Sequence, residues 1–316
     1  MQYNCPVCPN NCVIAEGKTG ICGVRSSRNG KAFLPYYGVL SAVSTDPVEK
    51  KPLYHYHPGK TIFSVGFYGC SLSCPFCQNY RISKEFGKPL SKPVSPARLA
   101  ESAAGSGSFG IAYTYSEPIV HLEYILETAA EASSLGLKNV LVTNGYINAE
   151  PAERLLEITD AVNIDLKSFN PDFYRNELKA KLEPVLKFIT KAAKYCHIEV
   201  TTLVIPGKND SEAEISESAA FLASIDKNIP FHLSAYYPSY KYSVPPTRPD
   251  ALIKLAEKAS EKLNFVYTGN IAGGRTDTIC PGCGNTLIKR SGYSTVSSGL
   301  IHGKCSSCGQ TPALHS

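Results

Sequence analysis

Three cysteines spaced Cys70-x3-Cys74-x2-Cys77 carry the most direct chemical implication in this sequence of 316 residues. Three thiolates so close together can hold three irons of a cubane iron–sulfur cluster. No fourth cysteine is adjacent, so one iron stays open to another ligand, whereas a structural zinc asks for a closed set of four. Of twelve cysteines, eight more fall into two further groups, and only Cys196 stands alone, as a small core residue. Cys280-x2-Cys283 and Cys305-x2-Cys308, each followed by a glycine, form two knuckles of the kind a four-cysteine zinc ribbon uses. Cys5, Cys8, Cys12 and Cys22 are less regularly spaced and fit either zinc or an auxiliary iron–sulfur cluster. In a long chain whose N-terminus does not read as a secretion signal, such clusters are metal sites in preference to disulfides.

The elements that must position these thiolates are legible from apolar periodicity. Short runs rich in β-branched and aromatic residues predict strands over 62–67, 111–115, 140–143, 162–165, 198–205 and 231–236. Longer periodic stretches predict helices over 96–104, 119–135, 152–159, 184–195, 212–224 and 249–262, with Ser211 and Glu214 forming a capping box. Six βα units with strands apolar on both faces call for an α/β fold with a parallel sheet wrapped by helices. Six units fall short of eight, so the expectation is an incomplete (β/α)6 barrel. The Cys-, Gly-, Ser- and Tyr-rich flanks predict a cysteine-rich N-terminal module over 1–60 and a zinc-ribbon-like module over 270–316, with the barrel over 61–269. The three-cysteine loop then follows the first barrel strand, where active sites of such barrels lie.

CxxxCxxC with Phe76 before its last cysteine, following the first strand of a βα series, resembles the signature of the radical S-adenosylmethionine (SAM) superfamily. The resemblance implies a 4Fe-4S cluster on Cys70, Cys74 and Cys77, chelated by the methionyl amine and carboxylate. One electron then cleaves the cofactor to a 5′-deoxyadenosyl radical that abstracts hydrogen. Phe76 would lie near the adenine, with a plain core role as the alternative. Ser116-Glu117-Pro118 is similar to that family's Gly-Gly-Glu motif, with Tyr115 and Ser116 in place of the glycines. Thr143-Asn144-Gly145 resembles the Asp-Thr-Asn-Gly of the glycyl-radical activases, with Val142 in place of the aspartate. Asp165-Leu166-Lys167 matches their Asp-Leu-Lys, and the two charged residues fall on one side as amine acceptor and carboxylate donor. Ser116, Glu117, Asn144, Asp165 and Lys167 are thus candidate cofactor contacts. A surface salt bridge is the plainer reading of the last two. Residues 205–210 and 235–238 also resemble stretches of the activases, Tyr237 standing where they carry a histidine. His232 reads as a satisfied core histidine, and Tyr54 to His57 as aromatic packing.

Over nearly its whole length the chain resembles the AmmeMemoRadiSam-system radical enzymes, relatives of the pyruvate formate-lyase activating enzymes. The features that carry this are the cysteines and the 46–59 segment, the CxxxCxxC loop, Tyr-Ser-Glu-Pro and the terminal ribbon. The resemblance implies association with Memo-like and AMMECR1-like proteins and fixes the chemistry, not the substrate. The leading expectation is a radical enzyme that uses a reducing electron donor and acts on a protein or peptide, with generation of a glycyl radical as one form of it. Modification of a small molecule and a non-enzymatic metal-binding interaction module are the alternatives. A net charge of +5 with no long Lys/Arg run argues against a nucleic-acid partner. No apolar run reaches membrane-spanning length, and the expected location is the cytoplasm.

Overall fold

The computed structural model describes residues 1–87 and 91–315. Eight strands form one open sheet: β1 (Ala42–Pro47), β2 (Thr61–Gly66), β3 (Gly110–Thr114), β4 (Lys138–Thr143), β5 (Ala161–Asp165), β6 (His197–Val204), β7 (Phe231–Ala235) and β8 (Val266–Gly269). They lie in sequence order, parallel throughout except that β1 pairs antiparallel with β2. Helices α1 (Pro96–Gly105), α2 (Leu122–Ser134), α3 (Ala149–Leu156), α4 (Leu182–Ala192), α5 (Glu212–Ile225) and α6 (Pro249–Ser260) connect β2 through β8. The six expected βα units are present, and the sheet gains two strands. β8 is a short parallel strand after α6, and β1 comes from the N-terminal flank.

Two helices begin earlier than periodicity suggested, because Pro151 and Pro184 occupy the third helical position. A proline in the first turn has no amide that the helix needs. At the start of α5, Ser211 accepts from the Glu214 amide, completing half of a capping box. The Glu214 carboxylate turns away and accepts instead from Ser168 Oγ and the Phe169 amide, fastening α5 to the loop after β5.

Alternation along the strands divides two environments. Phe63, Val65, Ile111, Tyr113, Leu141 and Val162 face the helices in the main core. Ile62, Ala112, Val140 and Ala161 point into the barrel, where Val48, Leu53 and Tyr56 from the 48–56 segment plug its floor. That floor is also polar. Glu199 of β6 is fully buried and accepts from the Tyr54 and His55 amides, with His197 and His232 against its oxygens at 3.0 and 2.6 Å. His232 is therefore a satisfied core histidine, and the aromatic segment packs as expected, Tyr54 and His55 with Tyr267 and Phe265, Tyr56 and His57 with Phe109. Cys196 is half-buried against the main core.

Candidate functional site

The loop after β2 is held at many points. Gly69 adopts φ +83°, and a Cβ there would meet the Cys22 carbonyl oxygen at 2.5 Å, so only glycine fits. Ser73 N donates to Leu178 O, Lys241 N to Pro75 O, and Lys84 Nζ to Cys70 O. Asn10 Nδ2 donates to Ser71 O at 2.8 Å. Bonds from four places in the chain thus hold the eight-residue loop, leaving the thiols turned toward one cavity of about 240 Å³. The sulfurs have their own partners. The Leu72 amide lies 3.4 Å from Cys70 Sγ, the Ser83 hydroxyl 3.2 Å from Cys77 Sγ, and Asn144 Nδ2 3.7 Å from Cys70 Sγ. Burial pushes the Cys74 thiol up to about 11, with the nearby Lys167 ammonium opposing it.

All three cysteines and all six candidate cofactor contacts line this cavity. Lys167 Nζ lies 2.7 Å from Asp165 Oδ2, both side chains partly exposed, at the end of β5. Burial alone would lower the Lys167 ammonium, but the Asp165 carboxylate and the Cys74 and Cys77 sulfurs raise it overall, so it is held charged. Glu117 is buried, and internal donors occupy both its oxygens: Thr143 Oγ1 and the Ile119 amide on Oε1, the Asn144 amide on Oε2. Burial pushes Glu117 up to about 7 against these donors. Its carboxylate ties the ends of β3 and β4 together. Asn144 Nδ2 also reaches Ser71 Oγ at 3.2 Å, and Ser116 Oγ donates to Phe67 O. Phe76 is buried, its ring centroid 6.0 Å from that of Phe173 and 5.6 Å from that of Tyr242.

Sequence reasoning missed part of the wall. Tyr115 lines the cavity with φ +66°, a left-handed conformation that an aromatic residue rarely adopts. Its hydroxyl donates to Asp46 Oδ2 at 2.8 Å, and Lys51 Nζ sits 4.5 Å from the ring centroid. Gly66 leaves the space, since a Cβ there would meet Tyr115 Cδ2 at 2.8 Å. Asp46 and Lys51 pair at 2.8 Å, both buried. The one available signal was an aromatic residue standing where the resembled motif has glycine. Thr201, Ser234 and Asn270 complete the far wall from β6, β7 and the end of β8. Asn270 also borders a larger cavity of about 980 Å³ between β8 and the C-terminal strands, which holds none of the thiols.

The C-terminal cysteines are drawn close. Cys280 and Cys308 sulfurs are 3.6 Å apart, as are those of Cys283 and Cys305, and all four lie within 4.8 Å of one another. A tetrahedral zinc with bonds of about 2.3 Å requires sulfur separations near 3.8 Å, so the residues present fit that ion. Cys5, Cys8 and Cys22 are buried and Cys12 is half-buried, in two turns of the N-terminal module.

The sequence matches the profile of the Radical SAM superfamily over residues 64–222. It is 37% identical over 295 residues to an uncharacterised protein of Methanocaldococcus jannaschii, covering 92% of this chain and 88% of that one. The pyruvate formate-lyase 1-activating enzyme of Escherichia coli is 26% identical over 184 residues, 54% of this chain and 74% of its own. Among solved structures, Streptococcus suis SuiB bound to S-adenosylmethionine shares the fold with a TM-score of 0.53 at 15% identity, over 65% of this chain and 49% of that one.

Proposed function

The chain belongs to the Radical SAM superfamily, and from that premise we propose that Cys70, Cys74 and Cys77 hold its 4Fe-4S cluster while Asp165 and Lys167 hold the methionyl group. The protein is an enzyme whose family implies that cluster and S-adenosylmethionine, and it is homologous to the pyruvate formate-lyase activating enzymes. When bound, cluster and cofactor supply a 5′-deoxyadenosyl radical that abstracts hydrogen. The chain's own residues bind, orient and enclose. The observation that carries the reading is one cavity lined by three thiols with no neighbouring fourth, facing an ammonium and a carboxylate 2.7 Å apart. Those two groups complement the carboxylate and amine of an amino acid and form charge-assisted hydrogen bonds with them. Glu117 and Asn144 fix the strand ends around them, and Phe76 lines the same cavity.

The substrate we propose is a protein or peptide, in keeping with the Escherichia coli relative being an activating enzyme of another enzyme, and the branch is the AmmeMemoRadiSam type, with Memo-like and AMMECR1-like proteins as partners. A cytoplasmic setting suits an oxygen-sensitive cluster, and no helix among the described residues is long and apolar enough to cross a membrane. Zinc in the ribbon of Cys280, Cys283, Cys305 and Cys308 completes the proposal. Anaerobically reconstituted protein is expected to show iron–sulfur charge-transfer absorption and, once reduced, to release 5′-deoxyadenosine. Release of 5′-deoxyadenosine should vanish when Cys70, Cys74 and Cys77 are all replaced by Ala, with a fall in the absorption, and persistent cleavage in that variant sinks the reading.

A further inference from the structure

Four cysteines outside the cavity remain without a role, and their surroundings differ from those of the ribbon. The ribbon pairs two knuckles, two and two, with Cys283 and Cys308 exposed, as suits an ion without redox chemistry. Cys5-x2-Cys8-x3-Cys12 instead places three thiols on one turn, in the mirror order of the spacing at Cys70, with Cys22 added from the next turn. Three local cysteines and a distant fourth is a pattern of iron–sulfur ligation.

The fold brings the set together. The Cys5 amide donates to the Cys12 carbonyl at 2.9 Å, closing the first turn. Gly20 N donates to Arg25 O, closing the turn that carries Cys22, and a Cβ at Gly20 would lie 3.4 Å from Cys12 Sγ. Cys8 is within electrostatic range of Cys5, Cys12 and Cys22. The Cys5, Cys8 and Cys22 side chains are buried and Cys12 is half-buried. Exclusion of solvent is one means by which a protein tunes a cluster. Cys5 and Cys8 pack into the main core beside Val7 and Ile14, and Cys22 beside Val24 and Val120. The same module touches the reactive loop directly. The Cys22 carbonyl abuts Gly69, the residue before Cys70, and Asn10 reaches Ser71, the residue after it.

We propose that Cys5, Cys8, Cys12 and Cys22 ligate a second iron–sulfur cluster, which accepts single electrons from a low-potential one-electron reductant and passes them through the Cys22–Gly69 contact to the cluster on Cys70, Cys74 and Cys77. No bond is made or broken in this step. The reductant loses one electron, the N-terminal cluster is reduced and reoxidised, and the Cys70 cluster gains that electron. The relay rests on the assignment of the Cys70 cluster given above, whereas the second cluster does not.

The test uses the full chain, reconstituted anaerobically with iron and sulfide and reduced with dithionite. The parent is expected to hold about eight irons and eight sulfides, and the variant with Cys70, Cys74 and Cys77 all changed to Ala about four of each with an EPR signal on reduction. Zinc without sulfide at the N-terminal cysteines of that triple variant would overturn the second cluster. In the reduced parent the two spin centres should broaden and split each other's EPR signals, and two independent, unsplit signals would overturn the relay. Cys22→Ser should leave the Cys70 cluster in place but slow its reduction severalfold in freeze-quench samples. An unchanged rate in a variant that has lost the N-terminal cluster would also overturn the relay, and the parent's spin coupling decides the matter if Cys22→Ser does not fold.

Discussion

Lys167 and Asp165 sit two residues apart at the end of β5, with Lys167 Nζ 2.7 Å from Asp165 Oδ2. An amino acid entering the cavity would exchange this contact for two charge-assisted ones, each worth about 1.5 to 3 kcal/mol. Asp165→Asn or Lys167→Met should therefore weaken S-adenosylmethionine binding by about one to two orders of magnitude while leaving the cluster intact, as neither residue offers sulfur to iron. Titrating the cofactor against the cluster's EPR signal separates the two effects, and parent-like affinity in both variants would return the pair to a structural salt bridge. Tyr115 poses a different test. Its left-handed backbone costs about 1 to 2 kcal/mol, offset by its bonds to Asp46 and the cation above its ring. Tyr115→Phe leaves the strain and removes a hydrogen bond to a buried carboxylate, so urea denaturation should show a loss of about 1.5 to 3 kcal/mol. A neutral result would mean that Lys50 and Lys51 satisfy Asp46 without it.

Elements explain why the site's residues meet. The strand ends could be read from the sequence because parallel strands buried on both faces are continuous apolar runs, and the polar residues that follow each run fall at the same end of the sheet. Cys70, Glu117, Asn144 and Asp165 were legible for that reason. β1 was not, since Ala42–Pro47 is an edge strand whose exposed Ala42 and Val43 alternate weakly and whose pairing depends on the β2 register. With β1 unread, the reach of Asp46 to Tyr115 was invisible too. Nor could spacing show that the N-terminal module docks on the Cys70 loop, because this depends on the positive φ of Gly69 and on the close approach of Cys22 and Val24 that its missing Cβ permits. Gly69→Ala tests that packing. The alanine adds about 1 to 2 kcal/mol of backbone strain and sets a methyl against the Cys22 carbonyl and both Val24 methyls. Lower iron content after reconstitution and a depressed melting temperature are expected together. Parent-like values for both would show that the module and the loop move independently.

Across the whole molecule, the two ends of the chain clasp the barrel from below. Arg290 of the ribbon donates to Tyr54 O at 2.6 Å and to Thr276 O and Thr278 Oγ1. The terminal segment pairs at His315 with residues 55–57. The clasp makes the protonation state of His55 a property of the assembled molecule. Its Nδ1 faces the Ala313 carbonyl at 2.7 Å and its Nε2 faces the Tyr267 hydroxyl at 2.6 Å, an arrangement served by the neutral ring with the proton on Nδ1. Burial lowers His55 to about 3, and it lowers His121, whose Nε2 donates to Tyr68 O beside the reactive loop, to about 4. Both rings are neutral in the folded protein and titrate near 6.5 once unfolded. Between about pH 6.5 and 4, unfolding therefore takes up two protons, so stability rises with pH across that window and is lost as pH falls. Each proton contributes about 1.4 kcal/mol per pH unit at most, giving a combined loss of several kcal/mol by pH 4. Urea denaturation of parent and His121→Gln at pH 5 and 7 isolates one of the two, because glutamine can keep a donor toward Tyr68 O but cannot be protonated. The difference in stability between the two pH values should shrink by about one proton's worth in the variant, and an unchanged difference would place the acid sensitivity elsewhere.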